Sequence, residues 1–400
     1  MEKNSAGQWQ KTTWKQFHEA VRDLTGRLYA AGVRSGDSVA LMMANSVRWE
    51  TIQHAVYCLG GIVVGMDRND PAERIADLFS LCTPMALFVD DSCLLERVPR
   101  PALAALKLVV AERGPEPSAA SIPVRLFAQL PPAARFDGAA AATDRPATVI
   151  FTSGTTGRPK ALVYSHRQLA LAVASVAPLL ADLPDQAHTA CWLPLANPFQ
   201  RMTNWCAMAA NWKAFMVSEP AKILEQVREI RPHFLVAVPR FYEKLHAGIR
   251  QRLEAMPGGM KAAAAWAQRI GGRCRREKAR GTRLPWSLRC QYRLADRLVL
   301  QKIRDSMGGQ LRYFISGSAP LSVALIEAFA ALGWTILEAY GISENIIPMA
   351  MNAPGAYRPG SVGRPLANND IRIAGDGEIL VKGPGVAVAS ADPQAGGFLK

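Results

Sequence analysis

The sequence predicts an α/β fold, with mostly parallel sheets covered by helices and then a smaller β-rich region. Apolar residues alternate between helical and strand spacing along the first half of the chain, and again over 221–238 and 311–337. From Ala353 onward, glycine and proline become frequent and the apolar runs are short. Alternation of helices and strands is typical of a parallel sheet with helices on its faces.

The first predicted elements follow this pattern. Apolar residues from Trp14 to Leu28 recur three and four positions apart, which indicates a helix that ends near Gly32. The elements that follow are a buried strand at 38–43, a helix at 48–59 and a strand at 62–64. The stretch 98–137 is rich in proline and alanine, so we expect a loop there before the sheet resumes at Ala147.

Composition excludes several classes of protein. The chain has 400 residues, 49% of them hydrophobic, and can bury a large core in more than one subdomain. Its longest apolar stretch, 169–181, is too short to cross a bilayer, and the N-terminus has no apolar signal core. The seven cysteines are scattered and never spaced as CxxC, so we expect reduced thiols in a cytoplasmic protein, with neither a metal site nor disulfides.

Much of the net charge of +14 lies in one segment, 269–304. Arg289, Arg293 and Arg297 recur every four residues there and would share one face of a helix. Three interpretations stay open: a solvated helix surface, peripheral docking on an anionic membrane, and nucleic-acid binding. Nucleic acid ranks last, and is not expected as a partner, because only Trp286 and Tyr292 could stack on bases.

The segment 151–160, FTSGTTGRPK, has the composition of a phosphate-binding loop. Glycines let backbone N–H groups approach an anion, hydroxyls donate hydrogen bonds, and Lys160 adds a charge. It is not a P-loop, since Arg158 and Pro159 separate the second glycine from the lysine. The apolar run 161–164 predicts a second strand, so the loop is expected to join two strands of a hairpin.

Two later segments add chemistry that suits a nucleotide. In 313–320, YFISGSAP, a strand ends in a turn of small residues, where a flat heterocycle could lie against the backbone. In 336–344, ILEAYGISE, an aromatic ring, a glycine, a hydroxyl and a carboxylate follow a second strand. A carboxylate beside phosphate oxygens is a common arrangement for Mg²⁺.

Together these segments resemble the motifs of the adenylate-forming superfamily, which includes acyl-CoA synthetases, luciferases and peptide-synthetase adenylation domains. Segment 152–160 is similar to the family's phosphate loop, 313–320 to its adenine turn, and 340–344 to its YGxTE motif with Ser343 in place of threonine. Segments 360–365 and 377–384 resemble its GSVGRP and GEIxxxGP signatures. The resemblance implies a large domain over 1–400. Two αβαβα-type sheet subdomains would occupy about 1–350, with a β-rich subdomain over about 353–400.

The resemblance also implies roles for individual residues. Thr152, Lys160, Ser343 and Glu344 would serve the reaction, and Glu344 would hold Mg²⁺. Tyr340 would pack on the adenine. The residues expected to bind ATP are Thr152, Ser153, Gly154, Thr155, Thr156, Gly157, Lys160, Gly317, Ser318, Ala319, Pro320, Glu338, Ala339, Tyr340, Gly341 and Ser343. Coenzyme A would be the thiol co-substrate.

Two segments resemble the long-chain fatty acyl-CoA synthetases in particular: 193–201, LPLANPFQR, and 231–245, RPHFLVAVPRFYEKL. The helical, basic insertion 247–304 is similar to that subfamily too. A fatty acid is therefore the expected substrate, although Asn197 replaces the family's histidine and Gln200 its glutamate. The candidate acid-binding residues are Trp192, Asn197, Phe199, Trp205 and Arg240.

The resembled superfamily continues beyond this region with a TGD motif and a small mobile domain that carries a catalytic lysine. The sequence ends at Lys400, about where that motif is expected. We therefore expect this chain to bind ATP and an acid, to form acyl-adenylate slowly, and not to complete thioester formation. Two alternatives stay open: adenylation of an aryl or other non-fatty acid, and a non-catalytic nucleotide- or acyl-binding remnant. Homodimers are common in the resembled family.

Overall fold

The computed structural model describes residues 1–114, 124–138, 142–152, 159–387 and 390–391. Its strands are β1 (Glu2–Lys3), β2 (Trp9–Gln10), β3 (Ser38–Met42), β4 (Ile62–Gly65), β5 (Ala86–Asp91), β6 (Leu108–Arg113), β7 (Val124–Leu126), β8 (Pro146–Thr152), β9 (Lys160–Ser165), β10 (His188–Cys191), β11 (Lys213–Met216), β12 (Phe234–Ala237), β13 (Tyr313–Ser316), β14 (Thr335–Tyr340), β15 (Ala350–Met351), β16 (Arg364–Pro365), β17 (Asp370–Ile373), β18 (Ile379–Lys382) and β19 (Ser390–Ala391). Its helices are α1 (Trp14–Ala30), α2 (Val47–Cys58), α3 (Ala72–Cys82), α4 (Arg100–Ala105), α5 (His166–Val176), α6 (Pro198–Ala209), α7 (Ile223–Ile230), α8 (Pro239–Glu254), α9 (Gly258–Ala279), α10 (Trp286–Ala295), α11 (Gln301–Asp305) and α12 (Val323–Ala331).

The largest sheet has eight strands in the order β19-β9-β8-β4-β3-β5-β6-β7. The pairs among strands β3 to β8 are all parallel, whereas β9 is antiparallel to both of its neighbours, β8 and β19. Both faces of the sheet are covered. Val39 and Leu41 pack with α1 and α2, while Ala40 and Met42 point to the other face and pack with α3. Burial on both faces explains why the parallel strands read as continuous apolar runs.

Two smaller sheets complete the α/β part of the fold. In the sheet β12-β13-β14-β15-β16 the first three strands are parallel and the last two antiparallel. In the sheet β10-β11-β1-β2 only β2 is antiparallel. Strands β17 and β18 form a separate hairpin. Within 353–391, β16 and β19 therefore pair with the larger sheets, and β17 and β18 pair with each other.

The expectation of a loop over 98–137 was wrong. This stretch contains helix α4 and strands β6 and β7, which form one edge of the eight-stranded sheet. Leu108, Val109, Val110 and Ala111 are all buried. The many prolines and alanines around this run concealed a short apolar strand that pairs in parallel with β5.

An aromatic cluster fixes helices α8 and α12 on strand β13. The ring of Phe314 in β13 makes edge contacts with Tyr242, Phe329 and Trp334, with centroids 5.3, 5.5 and 5.6 Å away. Edge-to-face contacts of this kind add to the stabilisation from apolar burial. Because Trp334 directly precedes β14, the aromatic cluster also holds β14 beside β13. Both strands lead into the cleft described below.

Helix α9 packs on α12 through a close approach at Gly271. A Cβ atom built on Gly271 would lie 2.0 Å from the carbonyl oxygen of Ala331, so a larger residue would force the helices apart. At the adjacent Gly272 the nearest atom would be 3.6 Å away. We expect Gly271→Ala to destabilise the protein by about 1–3 kcal/mol.

The matched variant Gly272→Ala is expected to have the opposite effect, a stabilisation of about 0.5–1 kcal/mol, because alanine is the better helix former. Chemical denaturation of both variants measures the free energy of unfolding. Equal shifts for the two substitutions would contradict the close packing of α9 on α12.

We find no helix in the described ranges that is both long and apolar enough to cross a membrane.

Candidate active site

A cleft of about 880 Å³ opens where the eight-stranded sheet meets the sheet that contains β13 and β14. We call it the main cleft. Its walls come from segments that are far apart in the sequence: the ends of β8, β13 and β14, the start of β9, and one face of α6. Ligands of open α/β sheets commonly bind at the carboxyl ends of the strands. The main cleft is therefore the candidate active site.

The phosphate-loop residues that the structure describes line one end of the main cleft. Thr152 ends β8 and Lys160 begins β9, and the two are directly paired across the hairpin. Both strands form where the sequence predicted a hairpin. The predicted ATP-binding residues Ser153, Gly154, Thr155, Thr156 and Gly157 lie outside the described residues.

The small-residue turn after β13 also lines the main cleft. A Cβ atom on Gly317 would come within 3.0 Å of the Phe199 ring and 3.4 Å of the carbonyl oxygen of Ala339. Ser318 has a left-handed backbone with φ of 71°. The absence of a side chain at 317 keeps the backbone within reach of a ligand. Gly317, Ser318 and Ala339 line the cleft, whereas Ala319 and Pro320 are not part of its lining.

The segment after β14 brings Gly341, Ser343 and Glu344 to the same end as Thr152 and Lys160. Tyr340 is half-buried, and neither it nor Glu338 is part of the lining. Glu338 is buried and its carboxylate accepts a hydrogen bond from the Gly360 N–H at 3.0 Å. Burial raises the pKa of Glu338. In this structure Glu338 therefore holds the 360–365 segment against β14.

Tyr164 connects the hairpin to the Glu344 segment. Its buried hydroxyl donates a hydrogen bond to the carbonyl oxygen of Ser343. Burial, and then the charge of Glu344, raise the pKa of Tyr164, so the hydroxyl keeps its proton. The sequence pattern around Tyr164 predicts only a strand residue. An aromatic residue with a hydroxyl within an otherwise aliphatic strand is the signal that could have identified it.

The segment 383–387 supports the Glu344 segment from behind. The Ala387 N–H donates to the carbonyl oxygen of Glu344, and the Ile346 N–H donates to that of Gly385. Gln168 of α5 donates to the carbonyl oxygens of Pro384 and Val386. These hydrogen bonds hold the backbone of residue 344, while its side chain is exposed toward the cleft.

The other end of the main cleft is an apolar arm. It lies between helix α6 and strand β12, and its residues include Val176, Leu180, Met202, Cys206, Trp212, Phe234, Val236 and Ile315. Burial raises the pKa of Cys206 to about 12, so its thiol stays neutral. An apolar arm that leads away from a phosphate-type site suits an acid with a hydrophobic tail.

Of the five candidate acid-binding residues, two line the main cleft and three do not. Asn197 and Phe199 line the main cleft, and Asn197 also caps α6 by accepting the Phe199 N–H. Trp192 is buried and its Nε1–H donates to the carbonyl oxygen of Val236, whereas Trp205 lies under a guanidinium. Arg240 is exposed at the start of α8. Trp192, Trp205 and Arg240 are therefore not part of the cleft lining, contrary to the expectation that they bind the acid.

Comparison with known proteins shows the family of this chain. The profile of the AMP-binding enzyme family matches residues 2–389. The chain belongs to the AMP-binding enzyme family. A curated relative of this AMP-binding chain is the long-chain-fatty-acid–CoA ligase FadD15 of Mycobacterium tuberculosis, 28% identical over 394 residues. Another is the long-chain-fatty-acid–CoA ligase ACSBG2 of Homo sapiens, 26% identical over 378 residues.

These alignments cover 94% and 89% of this AMP-binding chain, but only 63% and 55% of FadD15 and ACSBG2. Solved structures with a similar fold include the benzoate CoA ligase of Burkholderia xenovorans (TM-score 0.69, 18% identity, 97% of this chain and 68% of that one). The N-terminal domain of FACL13 from Mycobacterium tuberculosis is also similar (TM-score 0.66, 18% identity, 96% and 85%). The fold is that of the large domain of adenylate-forming enzymes.

The residues of this AMP-binding chain fit a magnesium ion bound together with phosphate. Glu344 offers an exposed carboxylate in the main cleft, beside the hydroxyls of Ser343 and Thr152. Among the described residues, no group of three or more histidine, cysteine, aspartate or glutamate side chains could form an all-protein metal cage. Mg²⁺ is commonly bound by one or two carboxylates and by substrate phosphates. Glu344, in a cleft that Asp67 and Asp70 also line, therefore suits this ion together with the phosphates of a substrate.

A buried polar network that no sequence motif predicts lies behind α6. Glu50 and Arg201, both almost fully buried, are linked through the amide of Gln53. Gln53 donates from Nε2 to the Glu50 carboxylate and accepts the Arg201 Nε–H at Oε1, each at 2.9 Å. Gln53 thus connects two opposite charges that do not touch directly.

Further groups complete this network. The Arg201 guanidinium donates to the Tyr57 hydroxyl at 2.9 Å, and Asn204 donates to Glu50 at 2.6 Å. Gln200 accepts the N–H groups of Trp192 and Leu193 and donates to Asn204. Because the Gln200 amide donates as well as accepts, a glutamate at this position would lose a hydrogen bond. The network holds the face of α6 that lies opposite the apolar arm.

Proposed function

We propose that this chain provides the ATP- and acid-binding part of an ATP-dependent acid–CoA ligase. The observation that carries the proposal is the convergence of Thr152, Lys160, Ser343 and Glu344 at one end of a cleft whose other end is apolar. The polar end suits a triphosphate, and the apolar arm suits the tail of a carboxylic acid. The proposed co-substrates are ATP and coenzyme A, with Mg²⁺ as the metal ion.

In the proposed reaction, a carboxylate oxygen of the acid bonds to the α-phosphorus of ATP as pyrophosphate leaves. The acyl-adenylate then reacts with the thiol of coenzyme A, which releases AMP. Lys160 and the Thr152 hydroxyl would hold phosphate oxygens, and the Ser343 hydroxyl would orient the α-phosphate. Glu344 would bind Mg²⁺, which when present neutralises charge on the phosphates. The remaining ATP-binding roles proposed for Gly317, Ser318 and Ala339 rest on their place in the cleft lining.

A fatty acid is the proposed substrate class. The side chains of Met202, Cys206 and Phe234 in the apolar arm support it, because they offer no polar partner for a substituted aromatic ring beyond a neutral thiol. The ligases FadD15 and ACSBG2 support it by name. A substituted aryl acid is the second candidate, because structural neighbours include benzoate and anthranilate CoA ligases.

The test is acid-dependent exchange of labelled pyrophosphate into ATP, measured over a series of fatty and aryl acids. We expect exchange with fatty acids and little with benzoate or anthranilate. Exchange with aryl acids alone would contradict the fatty-acid assignment. Acid and ATP binding without any exchange, in a protein that carries the complete ligase sequence, would favour a non-catalytic binding role instead.

We also propose that helix α10 and the turn after it dock on an anionic membrane. Trp286, Leu294 and Leu298 are 79%, 53% and 50% exposed and recur at multiples of four residues. A second, cationic row is also exposed and consists of Arg289, Arg293 and Arg297. Leu288, Ala295 and Leu300 point inward. An apolar row beside a cationic row, which we call the α10 stripe, suits the interface of an anionic bilayer.

Reversal of the three arginines to glutamate is expected to lower binding to phosphatidylserine-containing vesicles at least about tenfold. The triple variant Trp286→Ser, Leu294→Ser, Leu298→Ser should weaken it as well, whereas Val323→Ser, at another exposed apolar residue, should not. Co-sedimentation with anionic and neutral vesicles provides the measurement. Unchanged binding after the arginine reversal would show that the α10 stripe does not dock on membranes.

A further inference from the structure

A second cavity lies behind helix α6, on the side opposite the main cleft. It has a volume of about 200 Å³, and we call it the rear cavity. Its walls come from α1, the segment before it, strand β11 and the outer face of α6. About half of the side chains around it are apolar, such as Phe17, Met208 and Met216, whereas Glu50 and Asn204 are among the polar ones.

Helix α6 separates the two cavities along most of its length. Met202, Thr203 and Cys206 face the main cleft, whereas Asn204, Ala207 and Met208 face the rear cavity. Residues three and four apart on a helix share a face, so these two sets lie on different sides of α6. The backbone of α6 therefore forms a wall that no side-chain substitution within the helix would remove.

Just beyond the end of α6, a single side chain rather than the helix lies between the two cavities. Trp212 is the one described residue that lines both cavities. Trp212 is 5% exposed, its backbone N–H donates to the carbonyl oxygen of Ala207, and its ring makes an edge contact with Phe234 at a centroid distance of 5.0 Å. Phe234 itself lines the apolar arm. The indole of Trp212 thus stands between the far end of the apolar arm and the rear cavity.

We infer that Trp212 sets the greatest chain length of the acid, and that the rear cavity would bind the distal methylene groups of a longer acid once the indole is removed. The inference rests on the proposed function, because it requires an acid in the apolar arm. An acyl chain that enters from the phosphate end of the main cleft would stop against the indole. Without the indole, the apolar part of the rear cavity, formed by Phe17, Met208 and Met216, would continue the path.

The experiment compares wild-type protein with Trp212→Ala by displacement of a fluorescent fatty acid, using unbranched saturated carboxylates of increasing length. For the wild type, affinity should rise about fourfold for each added methylene and then level off when the chain reaches Trp212. For Trp212→Ala, the rise should continue beyond the wild-type limit, so that its affinity relative to wild type increases with chain length.

Two further variants make the result specific. Ala207→Leu alone fills part of the rear cavity and should leave the wild-type profile unchanged, whereas in the Trp212→Ala background it should cancel the gain for long acids. Because loss of a buried indole lowers stability, Trp212→Phe provides a milder variant with an intermediate limit.

The outcomes separate the two proposals. Identical chain-length profiles for wild type, Trp212→Phe and Trp212→Ala would overturn the role of Trp212 and leave the fatty-acid assignment in place. Absence of binding at every chain length would overturn the fatty-acid assignment, and the role of Trp212 with it. A gain for long acids that Ala207→Leu does not cancel would overturn the use of the rear cavity.

Discussion

Replacement of Glu344 with glutamine is expected to lower acid-dependent pyrophosphate exchange by about 100- to 1,000-fold. Glutamine keeps the size of the side chain and removes its charge. The carboxylate of Glu344 is exposed in the main cleft, and no hydrogen bond or ion pair from another described residue occupies it. The substitution should therefore leave the fold intact. The exchange rate, and the affinity for Mg·ATP by calorimetry, are the two measurements.

Glu378→Gln is the matched control for this variant. Glu378 is also exposed, but it lies in the turn between β17 and β18 and outside the main cleft. It should retain wild-type exchange and Mg·ATP affinity. If Glu344→Gln exchanged pyrophosphate as fast as Glu378→Gln at the same magnesium concentration, the proposed role of Glu344 as the magnesium ligand would be wrong.

Replacement of Arg201 with methionine is expected to destabilise the protein by about 3–5 kcal/mol. Methionine is similar in length, so the main change is the loss of charge and of hydrogen bonds to Gln53 and Tyr57. The substitution would remove the Arg201 charge and leave His54, whose Nδ1 lies 3.7 Å from the buried Glu50 carboxylate, as its one ionisable neighbour of basic type among these residues. Denaturant-induced unfolding measures the change in the free energy of unfolding.

Two further variants serve as references for the Arg201→Met measurement. Glu50→Gln introduced into Arg201→Met should recover part of the loss, since the remaining buried charge is then removed. Arg240→Met, at an exposed arginine, should change the free energy of unfolding by no more than about 0.5 kcal/mol. Equal effects at Arg201 and Arg240 would show that the buried network does not stabilise the fold.

The sequence predicted the first helices and strands because their local patterns and their burial agree. The predicted helix from Trp14 became α1, and the predicted strand at 38–43 became β3. The hairpin around the phosphate loop was also predicted, since an apolar run continues directly after Lys160. Strands β6 and β7 were missed because their pairing with β5 is a long-range contact that local composition does not reveal.

The acid-binding side of the site was harder to predict for a related reason. The wall of the acid-binding side combines residues of α6, β12 and β13. Each of these three elements has only one of its faces toward the cleft. Phe199 and Trp205 lie on the same helix, yet only Phe199 lines the cleft. Arg201 illustrates the same difficulty. A charged residue is ordinarily exposed, and only the three-dimensional arrangement of Gln53 and Tyr57 explains its burial.

The hydrogen bond from Tyr164 to the carbonyl oxygen of Ser343 has a thermodynamic consequence. It joins the strand that begins at Lys160 to the backbone that presents Glu344. A ligand that orders one of these two segments should therefore also order the other. Occupancy of the phosphate end and occupancy by the metal should therefore be linked. By reciprocity, the factor by which nucleotide raises affinity for the metal must equal the factor by which the metal raises affinity for nucleotide.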